Sequence, residues 1–305
     1  MHGNDDKVHG RRVTAVPRGH AACQVEDSAE LASPTSHKAL ISAGSTKSLP
    51  MIQTPIYAML NPETGSRVTL LGDVHVATVE YYQTLTDELI AHQEQGTVIH
   101  LEAVLPPSEK QLAAASAEER ELLNLLATSL DDGRAPALGL GLVAKRAVWI
   151  SHPDWEIHDI TMLDSVVFLG ADEVRRRAKA SRRLSRILRL LPRSLRRSMS
   201  IALVKAPADA LRRGESRDKF VHGRELELHR HRESVAMAAV DRHLANHPGG
   251  DIALLWGALH LPGFRDAFGE RGYKDDGEQW ITAIGPEPRE SASTVAPQPG
   301  KEQPA

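Results

Sequence analysis

Apolar residues in this chain fall into a few short dense runs, separated by longer stretches in which they recur every three or four positions. The first runs are Ile56-Tyr57-Ala58-Met59-Leu60 and Val68-Thr69-Leu70-Leu71, divided by Asn61-Pro62-Glu63-Thr64-Gly65-Ser66. Two such runs around a Pro/Gly turn predict a hairpin. Val79, Tyr82, Leu85, Leu89 and Ile90 then recur at helical spacing, which predicts a helix over about 78–95 that ends at Gly96. Thr97-Val98-Ile99-His100-Leu101-Glu102, ahead of Pro106-Pro107, reads as a strand parallel to the one before the helix, through a right-handed crossover.

Further on, Leu- and Ala-rich segments from about Ser108 to Ala144 predict two or more helices, broken near Asp131-Asp132-Gly133. Trp155 to Ile160 suits another short strand. Asp172 to Ala206 is helical in composition and interrupted at Pro192, and a charged helix over about Glu215 to Ala245 ends at His247-Pro248-Gly249-Gly250. Asp251 to Gly257 predicts a strand, Pro262 to Gly269 a short helix and Glu278 to Ile284 a last strand. The pattern is that of one mixed α/β domain over about 51–285: a central mixed sheet flanked by helices, with a helical insertion over about 108–210. Residues 1–50 and 286–305 show neither periodicity and are expected to be disordered tails.

Charged residues make up 25% of the 305, and a net charge of -3 predicts no general affinity for nucleic acid. The single cysteine, Cys23, excludes an intramolecular disulfide and a Cys-ligated zinc site within one chain. There is no apolar block of the secretory type and no run of the roughly 20 apolar residues that cross a bilayer. A soluble, cytoplasmic protein is the expectation. The segment Val174–Met199 stands apart, with ten arginines, one lysine and no acid. Leu184, Ile187, Leu188, Leu191 and Leu195 form an apolar stripe within it. A docked helix with solvated or paired arginines is the preferred reading, and peripheral contact with a membrane surface is the next. The interleaved aromatics of a single-strand nucleic-acid site are missing.

The chemistry concentrates in two echoing motifs, Gly72-Asp73-Val74-His75 and Gly257-Ala258-Leu259-His260, each closing an apolar run. Each reads as a strand that delivers an imidazole just past its carboxyl end, the edge where ligand crevices form in α/β sheets. Gly72 and Gly257 allow the backbone to turn sharply and approach a bound group. Taken alone, either histidine, among 15 in the chain, is more simply structural. Glu102, ending a third predicted strand, joins the same edge. Two imidazoles and a carboxylate are a recognised catalytic metal set that leaves positions open for water and substrate.

These residues resemble the TraB/GumN/Tiki (TraB/PrgY-like) superfamily. There, a strand ending in Gly-x-x-His is followed by a Glu on the next strand, an Arg on a late helix and a second Gly-x-x-His. The match lies in Gly72 to His75, His100-Leu101-Glu102 and Gly257-Ala258-Leu259-His260-Leu261-Pro262-Gly263, with the Arg falling at Arg232-Glu233 ahead of His247-Pro248-Gly249. Arg224 is the alternative. Asp73 stands where the family usually has Thr or Ser, and Glu233 where it has Asn or Asp.

The resemblance implies a metal-dependent hydrolase, most readily a metalloprotease acting on a peptide or small-molecule substrate with manganese or cobalt, zinc being the further option. His75 and His260 would be metal ligands and Glu102 a ligand or the general base. Arg232 would stabilise an oxyanion or orient a carboxylate. Asp73, Asp159 and Asp164 are secondary candidates, the last two equally readable as a helix cap or an exposed turn carboxylate. Two other functions remain open: a metal-independent, esterase-like hydrolase with His75 or His260 as base beside Glu102, and a non-catalytic protein that sequesters a peptide or small ligand in the same crevice.

Overall fold

In the computed structural model the described residues are 51–134, 142–145, 152–215, 217–219 and 221–285. The two predicted tails lie outside them. The strands are β1 (Ile52–Leu60), β2 (Arg67–Asp73), β3 (Val76–Ala77), β4 (Val98–Leu101), β5 (Val143–Ala144), β6 (Glu156–Ile157), β7 (Ile252–Gly257) and β8 (Lys274–Ile284). The helices are α1 (Val79–Glu94), α2 (Glu109–Ala114), α3 (Ala117–Arg134), α4 (Met162–Leu169), α5 (Ala171–Leu190), α6 (Arg193–Arg212), α7 (Arg224–Asn246) and α8 (Leu261–Glu270).

The main sheet has the order β6-β4-β7-β2-β1-β8. Its first four strands are parallel, and β1 is antiparallel to both neighbours. This is the mixed α/β architecture expected from the sequence. The β1–β2 hairpin forms with Ile56 opposite Leu71, and its turn is held by Asn61 Oδ1, which accepts from the backbone of Glu63 at 2.9 Å and Thr64 at 3.2 Å. The strands around α1 are parallel as predicted, but β7 lies between them. The reason is burial: Ile252 to Trp256 are all fully buried, a run apolar on both faces that belongs at the centre of a sheet.

Alternation along the strands divides the core. Leu71, Ile99, Leu101, Ala253 and Leu255 pack on Tyr81, Leu85 and Leu89 of α1. Leu70, Ile252, Leu254 and Trp256 face Ala236, Met237 and Val240 of α7 and Phe264 and Phe268 of α8. A third cluster joins Leu122 and Leu126 of α3, Val166 and Leu169 of α4, Val174 of α5 and Leu228 of α7. Thus α7 carries the helical insertion on the same body that packs on the sheet.

Several predicted boundaries shift: the charged helix begins at Arg224 rather than about Glu215, behind a 3-10 turn over Arg217–Lys219, and the last strand begins at Lys274 rather than Glu278. Helix α3 is described through Asp131-Asp132-Gly133 to Arg134, and the break expected near there borders residues outside the described ones. The strand expected over Trp155–Ile160 contracts to Glu156–Ile157. Pro192 does separate two helices, as the N-cap of α6. The arginine-rich α5 docks through Val174, Ala178, Ser185 and Leu188. Its first arginines are paired: Arg175 with Glu118 at 2.9 Å, Arg176 with Glu173 at 2.6 Å and Arg177 with Glu173 at 2.8 Å. Among the described residues, no helix is long and apolar enough to cross a membrane.

Candidate functional site

The parallel strands β4, β7 and β2 lie side by side, so their carboxyl ends open on one edge. Asp73 ends β2 directly opposite Gly257, the end of β7. Glu102 follows β4, and its backbone N–H donates to the carbonyl of Leu255 at 2.9 Å, extending the β4–β7 ladder. A 3-10 turn, Ala258–His260, then carries His260 back toward this edge before α8 begins. Topology therefore places Asp73, Glu102 and His260 together without any of them being close in sequence.

Gly257 is the pivot. A Cβ on it would lie 3.0 Å from Glu102 Oε2, 3.6 Å from His260 Cδ2 and 3.9 Å from Asp73 Oδ1. The three candidate groups thus ring a bare α-carbon. Gly72 serves differently: a Cβ there would press on Pro55 O at 3.0 Å and on Ala258 Cβ and Leu261 Cδ2, each at 3.2 Å, so this glycine lets the 3-10 turn settle on β2.

Glu102 is buried and fully engaged. Its Oε2 accepts from the Gly257 N–H and its Oε1 accepts from Arg232 Nη2 at 2.6 Å. Burial alone would push its carboxyl up, but the charges of Arg232, His260, His75 and Lys145 win and hold it well below the usual range. Glu102 is accordingly a carboxylate at neutral pH. Arg232, itself buried, closes a two-pronged fork on Asp159, with Nε to Oδ1 at 3.0 Å and Nη2 to Oδ2 at 2.6 Å.

His260 is held on one side by Glu233, whose Oε1 lies 2.7 Å from Nδ1. A carboxylate only accepts, so Nδ1 is the donor in this bond. Nε2 lies 3.4 Å from Arg232 Nη1 and 4.0 Å from Glu102 Oε1. Glu233 also accepts from buried Arg217. His229 stacks on the His260 ring at 4.3 Å, and burial pulls its imidazole down to about 3. Asp73 accepts from Lys145 through Oδ2, while its buried Oδ1 has no hydrogen-bond partner among the described residues.

The structure therefore gathers Glu102, Arg232, His260, Asp73 and Asp159. His75 is exposed on the bend after β2, near enough for its charge to act on Glu102. Two groups of His and Glu side chains could hold a metal ion among the described residues, with donor atoms all within 4.8 Å: His229-Glu233-His260 and His100-Glu156-His158. Of the predicted ligands only His260 is in either; His75, Glu102 and Asp73 are in neither. Asp164 belongs to the capping box of α4, with Thr161. Arg224 donates from Nη1 to the Leu169 carbonyl at 2.7 Å, closing the end of α4.

In the sequence Glu233 stands out only as a departure from a pattern, and Lys145, Arg217 and His229 are not among the predicted site residues. A signal did exist for the helix residues: Arg232 and Glu233 occupy the periodic face of α7 that also buries Leu228, Ala236, Met237 and Val240. Charged residues on a buried stripe mark a polar network. Nothing around Lys145 in the sequence marked it.

Comparison with protein-family models, curated proteins and solved structures finds no match in any of the three. What the site defines by itself is a buried network of imidazole, carboxylate and guanidinium groups at the carboxyl edge of a parallel sheet, with His/Glu groups able to hold a metal ion.

Proposed function

We propose that the chain is a metal-dependent hydrolase of the TraB/GumN/Tiki kind, acting on a peptide or a similar amide or ester. The observation that carries this reading is the ring of Glu102, His260 and Asp73 around the bare α-carbon of Gly257. Here the donor atoms that already lie within 4.8 Å of one another are those of His229, Glu233 and His260, so Glu102 and Asp73 would close on His260 as an ion binds. With Nδ1 committed to Glu233, His260 would offer Nε2 to an ion, Asp73 Oδ1 is a buried acceptor with no hydrogen-bond partner among the described residues, and Glu102 is ionised. Four carboxylates (Asp73, Glu102, Asp159 and Glu233) are interleaved with three cations (Lys145, Arg217 and Arg232) here.

His260, Glu102 and Asp73 would hold the ion, with His75 on the adjoining bend as the further imidazole. Manganese or cobalt is the first choice and zinc the next. When bound, such an ion polarises a substrate carbonyl and lowers the pKa of water. Glu233 fixes the tautomer and tilt of His260, the usual role of a carboxylate behind a ligating imidazole. Arg232 keeps Glu102 ionised and aimed. A carboxylate held so far below the usual range is a weak base, so ligation suits Glu102 better than general-base work.

A second reading has its own support. The Glu233–His260 bond of 2.7 Å is the arrangement of an oriented general base, with Nε2 directed at Glu102 and Arg232, and would serve metal-independent ester or amide hydrolysis. A single comparison separates the two. Protein purified without chelator is supplied with manganese, cobalt or zinc and presented with a peptide library, alongside Glu102→Gln and His260→Ala. Cleavage that requires metal and is lost in both variants supports the first reading. Cleavage that survives chelation in the wild type overturns it in favour of the second, and peptide capture without turnover overturns both in favour of sequestration.

A further inference from the structure

We propose a second metal site, built from His100, Glu156 and His158 at the β4–β6 edge of the sheet and suited to zinc or another late first-row divalent ion. It shares no donor with the site at Gly257. His100 sits within β4, paired with Leu254 on one side and Glu156 on the other. It is 1% exposed, and neither ring nitrogen has a hydrogen-bond partner among the described residues. A neutral imidazole carries one donor and one acceptor, and each left unsatisfied in the interior costs about 1–3 kcal/mol. A fold that tolerates this at the centre of a strand needs a reason.

The neighbours supply one. Glu156 Oε2 lies 3.7 Å from His100 Nε2, too far for a hydrogen bond, and 2.7 Å from His158 Nε2. The His100 and His158 rings are 4.6 Å apart. Metal–ligand bonds of about 2.0–2.2 Å place tetrahedral ligands ~3.3 Å from one another. The three donor atoms already lie within 4.8 Å of one another, so side-chain adjustments that bring them to this spacing would satisfy all three ligands and give His100 Nε2 the partner it lacks. Two imidazoles with one carboxylate prefer zinc, cobalt or nickel to magnesium or calcium. Glu156 is 53% and His158 28% exposed, so the site opens to solvent on one side. A water would take the fourth position, or His243, whose ring lies 6.2 Å from that of His100.

The role that follows is positional. Strand β6 has two residues and pairs with β4 only through Glu156 and Ile157. The next residue after His158 is Asp159, which clamps Arg232 and through it Glu102. A metal across His100, Glu156 and His158 would staple this short edge strand to the sheet and fix the clamp from behind.

The test uses the full chain, stripped with chelator, dialysed and titrated with zinc by calorimetry, beside the double variant Glu156→Gln/His158→Ala and, separately, His260→Ala. Glu156 and His158 are partly exposed, so the double variant is expected to keep the wild-type circular dichroism. It should lose about one equivalent of zinc and the zinc-dependent rise in melting temperature. His260→Ala should keep both, since its donor belongs to the other site. Wild-type stoichiometry and affinity in the double variant would overturn the proposal, as would loss of all zinc binding in His260→Ala or no binding by the wild type. Loss of zinc by His260→Ala of one equivalent only, with the second intact, supports both sites. If the double variant unfolds, cobalt absorption of the wild type decides: tetrahedral bands that persist in His260→Ala support the site, and their absence rejects it.

Discussion

Replacing Arg232 by Met would test whether the buried network holds the fold together as well as the site. Met preserves much of the stem that packs near Trp256, over which the guanidinium carbon lies 5.4 Å from the ring centre. It removes the donors to both oxygens of Asp159 and to Glu102. Two carboxylates, both essentially buried, would then lack their cation. Removing one partner from a buried ion pair costs about 3–5 kcal/mol. In a domain of this size each kcal/mol lowers the melting temperature by about 2–4 °C, so thermal circular dichroism at pH 7 should show a fall of about 6–20 °C.

The pH dependence carries a second, sharper sign. In the wild type Glu102 is held below its ordinary range, so its contribution is complete above the unfolded carboxyl pKa and fades as pH falls through the depressed folded value. Without Arg232, burial dominates and pushes the Glu102 carboxyl up, so the variant recovers stability as it takes up a proton. The difference between the two proteins should therefore narrow between pH 7 and pH 5. Urea midpoints across that range measure it. A difference under about 1 kcal/mol at pH 7, or one that widens on acidification, would refute the reasoning.

Three further outcomes follow from the same contacts. Gly257→Ala has an acceptable backbone, φ -49° and ψ 129°, but its Cβ would stand 3.0 Å from Glu102 Oε2; Glu102 is tied to Arg232 and cannot retreat, so metal affinity measured by calorimetry should fall by about tenfold or more. Arg224→Ala should cost about 1 kcal/mol in chemical denaturation, by leaving the Leu169 carbonyl without its donor, and should leave metal binding unchanged, in contrast to Arg232. In chelator, stability should fall as pH drops below about 6.5, by up to ~1.4 kcal/mol per pH unit for each of His100 and His229. Burial holds both rings neutral, down to about 3 in the fold, while the unfolded chain takes up protons. Denaturant midpoints that stay flat from pH 7 to pH 5 would show these rings charged within the fold.

The elements themselves were readable because each has a local cause. The periodic apolar face of α1, the Pro/Gly turn between β1 and β2 and the dense run of β7 all announce their structure in a few residues. The position of β7 between β4 and β2 was not so readable, because nothing within Ile252–Gly257 says which neighbours it takes. The same division holds for the site. Glu102 and His260 lie just past strands whose carboxyl edge coincides, and the motifs point to both. His75 shares the motif of His260, yet it falls on an exposed bend, since β2 ends at Asp73 and turns the next residues outward. Asp159 reaches the centre through a fork on Arg232, a contact 73 residues long in sequence that no local pattern encodes. Lys145 arrives through the small β3–β5 pairing, equally invisible before folding.

The most direct measurement is anomalous diffraction from crystals loaded with manganese or cobalt, collected at the absorption edge of that metal. The proposal requires a peak beside the α-carbon of Gly257, within bonding distance of His260 Nε2 and of the Glu102 and Asp73 carboxylates. Density for bound metal confined to other positions, with none beside Gly257, would contradict it.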